Sequence, residues 1–373
     1  MTRLSGGLAV IVLACGCAPV PPPRTGEQKE SELPQPRLAT ADPTDLRSRI
    51  DAAVDTVRRR DLHTSHGFWT VFHGVLGLGP DAILCDPWGR RVRAMDHLFD
   101  GGDLRGLRFI PTRHGLDVQM GPTFVGQGHQ DQFVAEMAQW GVPADRRVRV
   151  EGKDYRFLDF VRQSQMRARV TAGQELSWAV IAVGQYLGTE LEWVNEAGER
   201  VRFEDLMRYE LAAPVETAAC GGTHRLFGLS WAYRLHVGRG GREAGVWADV
   251  PKAVARYRDR ARELQNADGT LSTAYFRGWG DDADKQLRVS STGHTLEWLA
   301  LALSDDELRE PWVRNAAGAL ADLLTGLRDE PVESGALYHA VHGLLIYRTR
   351  LFGEPPPGCT RPPIPPSVPA AQK

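Results

Sequence analysis

The 373-residue chain is 42% hydrophobic and 25% charged, enough apolar content for a packed core in a globular protein. Its 45 Lys and Arg stand against 47 Asp and Glu, for a formal net charge of -2. No basic stripe interleaved with aromatics appears, which excludes nucleic acid as a partner, and phosphate loops, nucleophile elbows, metalloprotease helices and dinucleotide fingerprints are missing.

Residues 1–17 read as an export signal. Arg3 supplies a short positive region, and Leu8 to Ala14 is an apolar run too short to span a bilayer. The run ends in Val12-Leu13-Ala14-Cys15-Gly16-Cys17. This resembles a bacterial lipoprotein signal, whose cysteine is lipidated after cleavage. Cys15, behind an apolar-apolar-small triplet, is the first candidate and Cys17 the second; an ordinary secretory signal cut nearby is the alternative. Either implies export across the inner membrane, and the lipidated form implies a protein anchored in the cell envelope. Ala18 to Pro43 is rich in proline and charge and reads as a semi-extended tether. Residues 44–352 read as the folded domain, and 353–373, again proline-dense, as a disordered tail. Cys85, Cys220 and Cys359 are too few and too far apart for a disulfide framework, although a single bridge fits an oxidising compartment.

Within residues 44–352 the chain repeats itself. Six heads, Ser65-His66-Gly67, Gly128-His129, Gly173-Gln174, Thr223-His224, Gly293-His294 and Gly335-Ala336, are each followed by an apolar run. Ser177 to Leu187, Leu296 to Leu303 and Leu337 to Tyr347 are apolar nearly all round, the mark of a helix buried on most sides. Cys220 to Leu235 belongs with them, since Leu226, Leu229 and Tyr233 make one stripe and Phe227, Trp231 and Leu235 another. Between the heads lie helices with a single stripe. One is Leu46, Ile50, Ala53, Val54 and Val57; a second runs from Val250 to Leu264, and a third from Leu308 to Leu327.

A second repeat matches Gly89 to Leu98 with Gly152 to Val161 and Gly198 to Met207. Each has a Gly turn, an extended pair, and then Asp96, Asp159 or Asp205 near a helix start, where a carboxylate suits the dipole. These predict short hairpins leading into the second, third and fourth one-sided helices, and Leu107 to Met120 alternates like a further strand insertion. The whole pattern predicts an all-α fold, an (α/α)6 toroid of six helical hairpins with short inserted β-hairpins.

Leu264-Gln265-Asn266-Ala267-Asp268-Gly269-Thr270 is similar to the Gln-x-x-Asp-Gly turn that recurs in terpenoid cyclases, with Leu271 where that family has an aromatic. Together with the alternating helices, it makes residues 44–352 resemble the toroid superfamily of terpenoid cyclases, protein prenyltransferases and many envelope glycan hydrolases and lyases. The turn is a structural brace in the family, so the resemblance bears on architecture and not on chemistry.

In a toroid of this kind the inner-helix starts gather round one mouth. That would set His66, His129, Gln174, His224 and His294 about a shared cavity, where free helix N–H groups favour an anionic or polyhydroxyl ligand. Capping of each helix by its own histidine is the alternative. Cys220 and His224 are weak candidates to hold zinc; prenyltransferases and lanthionine cyclases use Cys and His so, but their motifs are missing, and no cofactor is required. Among carboxylates, Glu175 and Glu297 follow inner-helix starts, and Glu216 and Asp268 lie in loops. Asp281-Asp282-Ala283-Asp284 resembles the acidic cluster of terpenoid cyclases in a different order. Trp69, Tyr275, Phe276 and Trp279 could stack on sugar rings. The expectation is an envelope-anchored protein acting on a glycan or polyhydroxyl substrate as a hydrolase, lyase or epimerase. His224 and His294 would be the acid/base groups, with Glu297 or Asp282 assisting and His66, His129, Gln174, Trp69, Tyr275 and Trp279 binding. A non-catalytic ligand-binding or scaffold lipoprotein is the alternative.

Overall fold

The computed structural model describes residues 43–122, 124–171 and 173–366. The expected signal and tether, with Cys15 and Cys17, fall outside those residues up to Pro43, which opens the first helix. Among the described residues there are thirteen α-helices and nine short strands, so the chain is helix-rich as its patterning predicts. No helix among them is long and apolar enough to cross a membrane.

Six helices are buried over most of their surface: α2 (Gly67–Leu78), α4 (Gln132–Gln139), α6 (Ser177–Tyr186), α8 (Thr223–Gly238), α10 (Lys285–Ala302) and α13 (Ser334–Phe352). They touch in cyclic order, each on the next, and α13 packs back on α2. Helices enclosed in this way have no wet face, hence their lack of a polar stripe. The one-sided helices lie against them: α1 (Pro43–Arg58), α3 (Ala94–Phe99), α5 (Phe157–Arg167), α7 (Phe203–Ala212), α9 (Val246–Glu263) and α12 (Pro311–Gly326). Leu46, Ile50, Ala53, Val54 and Val57 of α1 are all buried, as their spacing predicts. A single turn, α11 (Asp305–Leu308), precedes α12.

The three matching ten-residue stretches adopt the same local structure. β3 (Arg91–Arg93), β7 (Lys153–Arg156) and β9 (Arg200–Arg202) pair antiparallel with β2 (Ile83–Cys85), β6 (Arg147–Val150) and β8 (Glu192–Val194), and each runs straight into a one-sided helix. Asp159 and Asp205 accept the backbone N–H of Arg156 and Arg202 at 2.8 and 3.0 Å, satisfying a donor left over at each helix start. Two further strands, β4 (Phe109–Pro111) and β5 (Leu116–Val118), form the insertion, and β1 (Leu62–His63) runs parallel to β2. In the Gln265 turn, the side-chain amide donates to Gly269 O at 2.9 Å and Trp312 O at 2.8 Å, bracing α9 against α12.

Residues 353–366, expected within a disordered tail, are packed instead as a strap. Proline removes backbone donors but leaves every carbonyl, and arginines fill the acceptors. Arg234 donates to Pro365 O at 2.6 and 3.0 Å, Arg348 to Glu354 O at 2.6 Å, and Arg58 to Pro357 O at 2.9 Å. Pro356, Pro362 and Pro365 are buried beneath it.

The crossing of α10 and α13 is close. A Cβ placed on Gly293 would stand 2.7 Å from Ala340 Cβ, and one on Gly343 2.8 Å from the Glu297 backbone nitrogen. Backbone cannot give way as a side-chain tip can, so Gly343→Ala is expected to lower the unfolding free energy by about 2 kcal/mol. At exposed Gly326 an added Cβ meets nothing within 4 Å, and Gly326→Ala is expected to raise it by about 0.5 kcal/mol. Urea unfolding of both variants checks the contrast, and equal shifts would remove the crossing as its cause.

Candidate functional site

Five imidazoles converge where the buried helices face one another. His73 comes from the middle of α2, His129 from the turn before α4, His224 from the first turn of α8, His294 from the middle of α10 and His339 from the second turn of α13. All five are buried. Ring centroids stand 4.4 Å apart for His294 and His339, 5.0 Å for His129 and His224, 5.3 Å from His224 to both His294 and His339, and 5.6 Å for His73 and His339. The chain reaches His224 through three successive left-handed residues, Cys220, Gly221 and Gly222, at φ 48, 63 and 82°. That conformation is costly for Cys220, and Val215 leaves no room for a side chain at Gly222.

Most of these rings are fixed from behind. Nδ1 of His73 meets Trp69 O at 2.8 Å, Nδ1 of His294 meets Ser290 O at 2.7 Å, and Nδ1 of His339 meets Glu297 Oε2 at 2.7 Å. His129 uses Nδ1 on Glu175 Oε2 at 2.6 Å. Carbonyls and ionised carboxylates only accept, so Nδ1 carries the proton and the neutral ring keeps its lone pair on Nε2. The buried Nε2 of His339 has no hydrogen-bond partner within the protein, and neither nitrogen of His224 has one. Burial, reinforced by the neighbouring imidazoles, pushes His224 well below the usual histidine range and His294 down to about 3.

Two carboxylates share the centre in opposite surroundings. Glu297 receives Nδ1 of His339 on one oxygen and Nδ1 of His342 on the other, at 2.7 and 2.6 Å. Burial would raise its pKa, but the two imidazoles hold it at about 2. Glu136 on α4 is fully buried with neither oxygen partnered, and that burial raises its pKa well above the carboxylate range. A cavity of about 60 Å³ opens beside the rings, lined by Trp69, His73, Gln132, His224, His294 and His339 and, nearer its mouth, by Gln286, Ser290 and Glu333.

Three groups have ligand atoms within 4.8 Å of one another: His224, His294 and His339; His73, Glu136 and His339; and His129, Cys220 and His224. Cys220 carries a disulfide bond, so the last group offers no thiolate.

The expected residues divide. His224, His294, His129, Glu297 and Trp69 reach the centre. His66 does not: it is exposed, and its Nδ1 accepts the His63 N–H at 3.2 Å. The inward histidine of that repeat is His73, two turns further on. The residue of the third repeat that meets an imidazole is Glu175 rather than Gln174, whose carbonyl instead accepts from the Tyr209 hydroxyl. Asp282 caps its own turn, accepting the Asp284 N–H at 2.9 Å, while Arg288 pairs with Asp281 and Asp268. Tyr275, packed against Gly221, bonds Ser290 Oγ at 3.1 Å, and neither it nor Trp279 lines the cavity. Sequence reasoning missed His73, Glu136, His339 and His342. Their signal is an ionisable group isolated on a helix that is otherwise buried all round.

Glu210 on α7 fixes the approach of α6 and α8 to this centre. It accepts from Leu176 N, Ser177 Oγ and Arg225 Nε at 2.7, 2.8 and 2.9 Å. Glu210→Ala strands the buried Arg225 beside His224 and is expected to cost about 3–5 kcal/mol, read as a loss of unfolding free energy in denaturant melts. A cost under 1 kcal/mol would show the ion pair to be dispensable. Comparison with protein-family models, curated proteins and solved structures returned no match, so a functional reading rests on this geometry alone.

Proposed function

We propose that the protein is an (α/α)6 toroid whose centre binds a divalent transition-metal ion, zinc being the best fit, on His224, His294 and His339. Convergence of their ring nitrogens carries this reading. Three imidazoles offer ligand atoms within 4.8 Å of one another, two of them held from behind through Nδ1, with no protein donor for the lone pairs. Metal-bound histidines are oriented in this way by a carbonyl or carboxylate on the other nitrogen, here Ser290 O and Glu297. Three neutral imidazoles leave one coordination position open, as in catalytic zinc sites. Such an ion would supply Lewis acidity. The residues do the rest: Glu297 supplies compensating negative charge through His339, and Trp69 narrows the opening.

The cyclic contacts of α2, α4, α6, α8, α10 and α13, with one-sided helices around them, support the toroid. Acid/base chemistry on a glycan, and non-catalytic ligand binding, are the alternatives. A metal suits the centre better because both Glu297 oxygens already serve histidines and are not free to exchange protons with a substrate. The N-terminal pattern Val12 to Cys17 supports a lipid anchor in the cell envelope.

Protein purified without chelator and supplemented with zinc, cobalt or manganese is expected to retain at least one bound ion per chain by mass spectrometry. Glu297→Gln, which leaves the ligands in place, should weaken binding by about 10–100-fold, and His294→Ala more, with circular dichroism unchanged. Wild-type protein that holds no ion under these conditions rules the site out. Labelled palmitate should mark the expressed chain, and Cys15→Ser should abolish the mark; retention moves the anchor to Cys17, and an unmarked wild type removes it.

A further inference from the structure

The first site leaves one buried group at the centre without a role. All of α4 is buried, so Glu136 cannot turn a carboxylate oxygen to water by changing rotamer. Neither oxygen has a partner within the protein, although a buried carboxyl without hydrogen bonds is among the costlier features a core can hold. The Gln132 side chain neighbours this carboxylate, and His73 Nε2 lies 3.6 Å from Glu136 Oε1. That is too long for a hydrogen bond. It is close to the roughly 3.4 Å that separates two donor atoms each about 2.1 Å from one tetrahedral ion. The His73 ring is fixed by Nδ1 on Trp69 O, so its lone pair lies on the Nε2 that faces Glu136.

We infer that the cavity holds a second divalent cation beside the first, bound by His73 Nε2 and the two oxygens of Glu136, so that the centre is dinuclear. His339 stands between the two ions. Its ligand atom lies within 4.8 Å of those of both groups, but one free nitrogen serves one ion. The second ion therefore completes its coordination with solvent from the cavity that His73 and Gln132 line. Gln132 is the gate to it. Its Nε2 reaches His73 Nε2 at 3.1 Å, while its Oε1 is tied to the N–H groups of Gly128 and His129 at 3.2 and 3.3 Å. Ion binding exchanges that single amide contact for a coordinate bond. A mixed nitrogen and carboxylate set suits zinc, manganese or ferrous iron. Two ions held by these residues would supply Lewis acidity for hydrolysis of a phosphate ester, a carboxylic ester or a peptide.

This inference rests on the first site, and stoichiometry separates their failures. Full-length protein, stripped with chelator and titrated with Co(II) or Zn(II), is expected to bind two equivalents. Glu136→Gln, which preserves shape, should bind one, and the Co(II) spectrum of the remaining ion should match that of one of the two wild-type phases. His73→Asn should do the same. One equivalent in the wild type overturns the second subsite and leaves the first standing. Two equivalents unchanged by Glu136→Gln place the second ion elsewhere and overturn the assignment. No binding overturns both sites together.

Discussion

The centre depends on how closely α10 and α13 approach. Gly293 faces Ala340 and Gly343 faces the Glu297 backbone, with no space for a side chain on either glycine. Only at that separation can Glu297 reach His339 and His342 at once with ideal hydrogen-bond lengths. The carboxylate then fixes two rings on the neighbouring helix, and His339 turns its other nitrogen towards His224 and His294. A wider crossing would leave a buried anion without donors, which no core tolerates cheaply. The glycines, the anion and the ring orientation are therefore one constraint.

Several buried charges away from the centre are paired. Glu210 takes three donors including Arg225, Arg348 makes two bonds to Asp51, and Arg234 gives three to carbonyls of the strap and of α10. At the centre the pattern reverses. Both nitrogens of His224, Nε2 of His339 and both oxygens of Glu136 lack protein partners. An unsatisfied buried polar atom costs about 1–3 kcal/mol. Other buried atoms are unpartnered too, Nε of Arg60, Arg146 and Arg167 among them, but these five share one small volume, where the proposed metal would supply what the fold does not.

Much of the fold was legible from residue spacing. The stripe of α1, the all-round apolar runs of α6, α10 and α13, and the three Gly-turn stretches all appear where their patterns place them, because periodicity reports burial directly. The proline-dense end was misread, since composition reports missing donors and is blind to the arginines that fill the acceptors. At the site, His129, His224 and His294 were found by assuming that equivalent heads occupy equivalent depths. They do not. His224 is the second residue of its helix, His294 lies near the middle of α10, and His339 begins the second turn of α13. Depth along the axis is set by packing between helices, which head alignment cannot supply. This is why His66 stays outside and His73 takes its place. Only isolation of an ionisable group on a buried helix marks His73, Glu136 and His339 in the sequence.

The helices that line the cavity give its approach a polarity. The cavity is lined by the first turns of α10 and α13, through Gln286, Leu287, Ser290, Gly335 and Ala336. Away from these turns the strap packs with Pro365 against Arg234 on α8, and Trp140 bonds Leu76 O near the ends of α4 and α2. Anything reaching the imidazoles therefore passes helix N-termini, where the backbone dipoles present partial positive charge. Glu333 holds that rim in shape, accepting Trp69 Nε1 at 2.7 Å and the N–H groups of Gly335 and Ala336 at 2.7 and 2.8 Å. Those three donors offset part of its negative charge at the rim. Positive helix ends and a rim whose donors are satisfied favour an anionic ligand on this approach. The proposed metal would strengthen that preference, because the ion would add positive charge where the helix dipoles already favour a negative one.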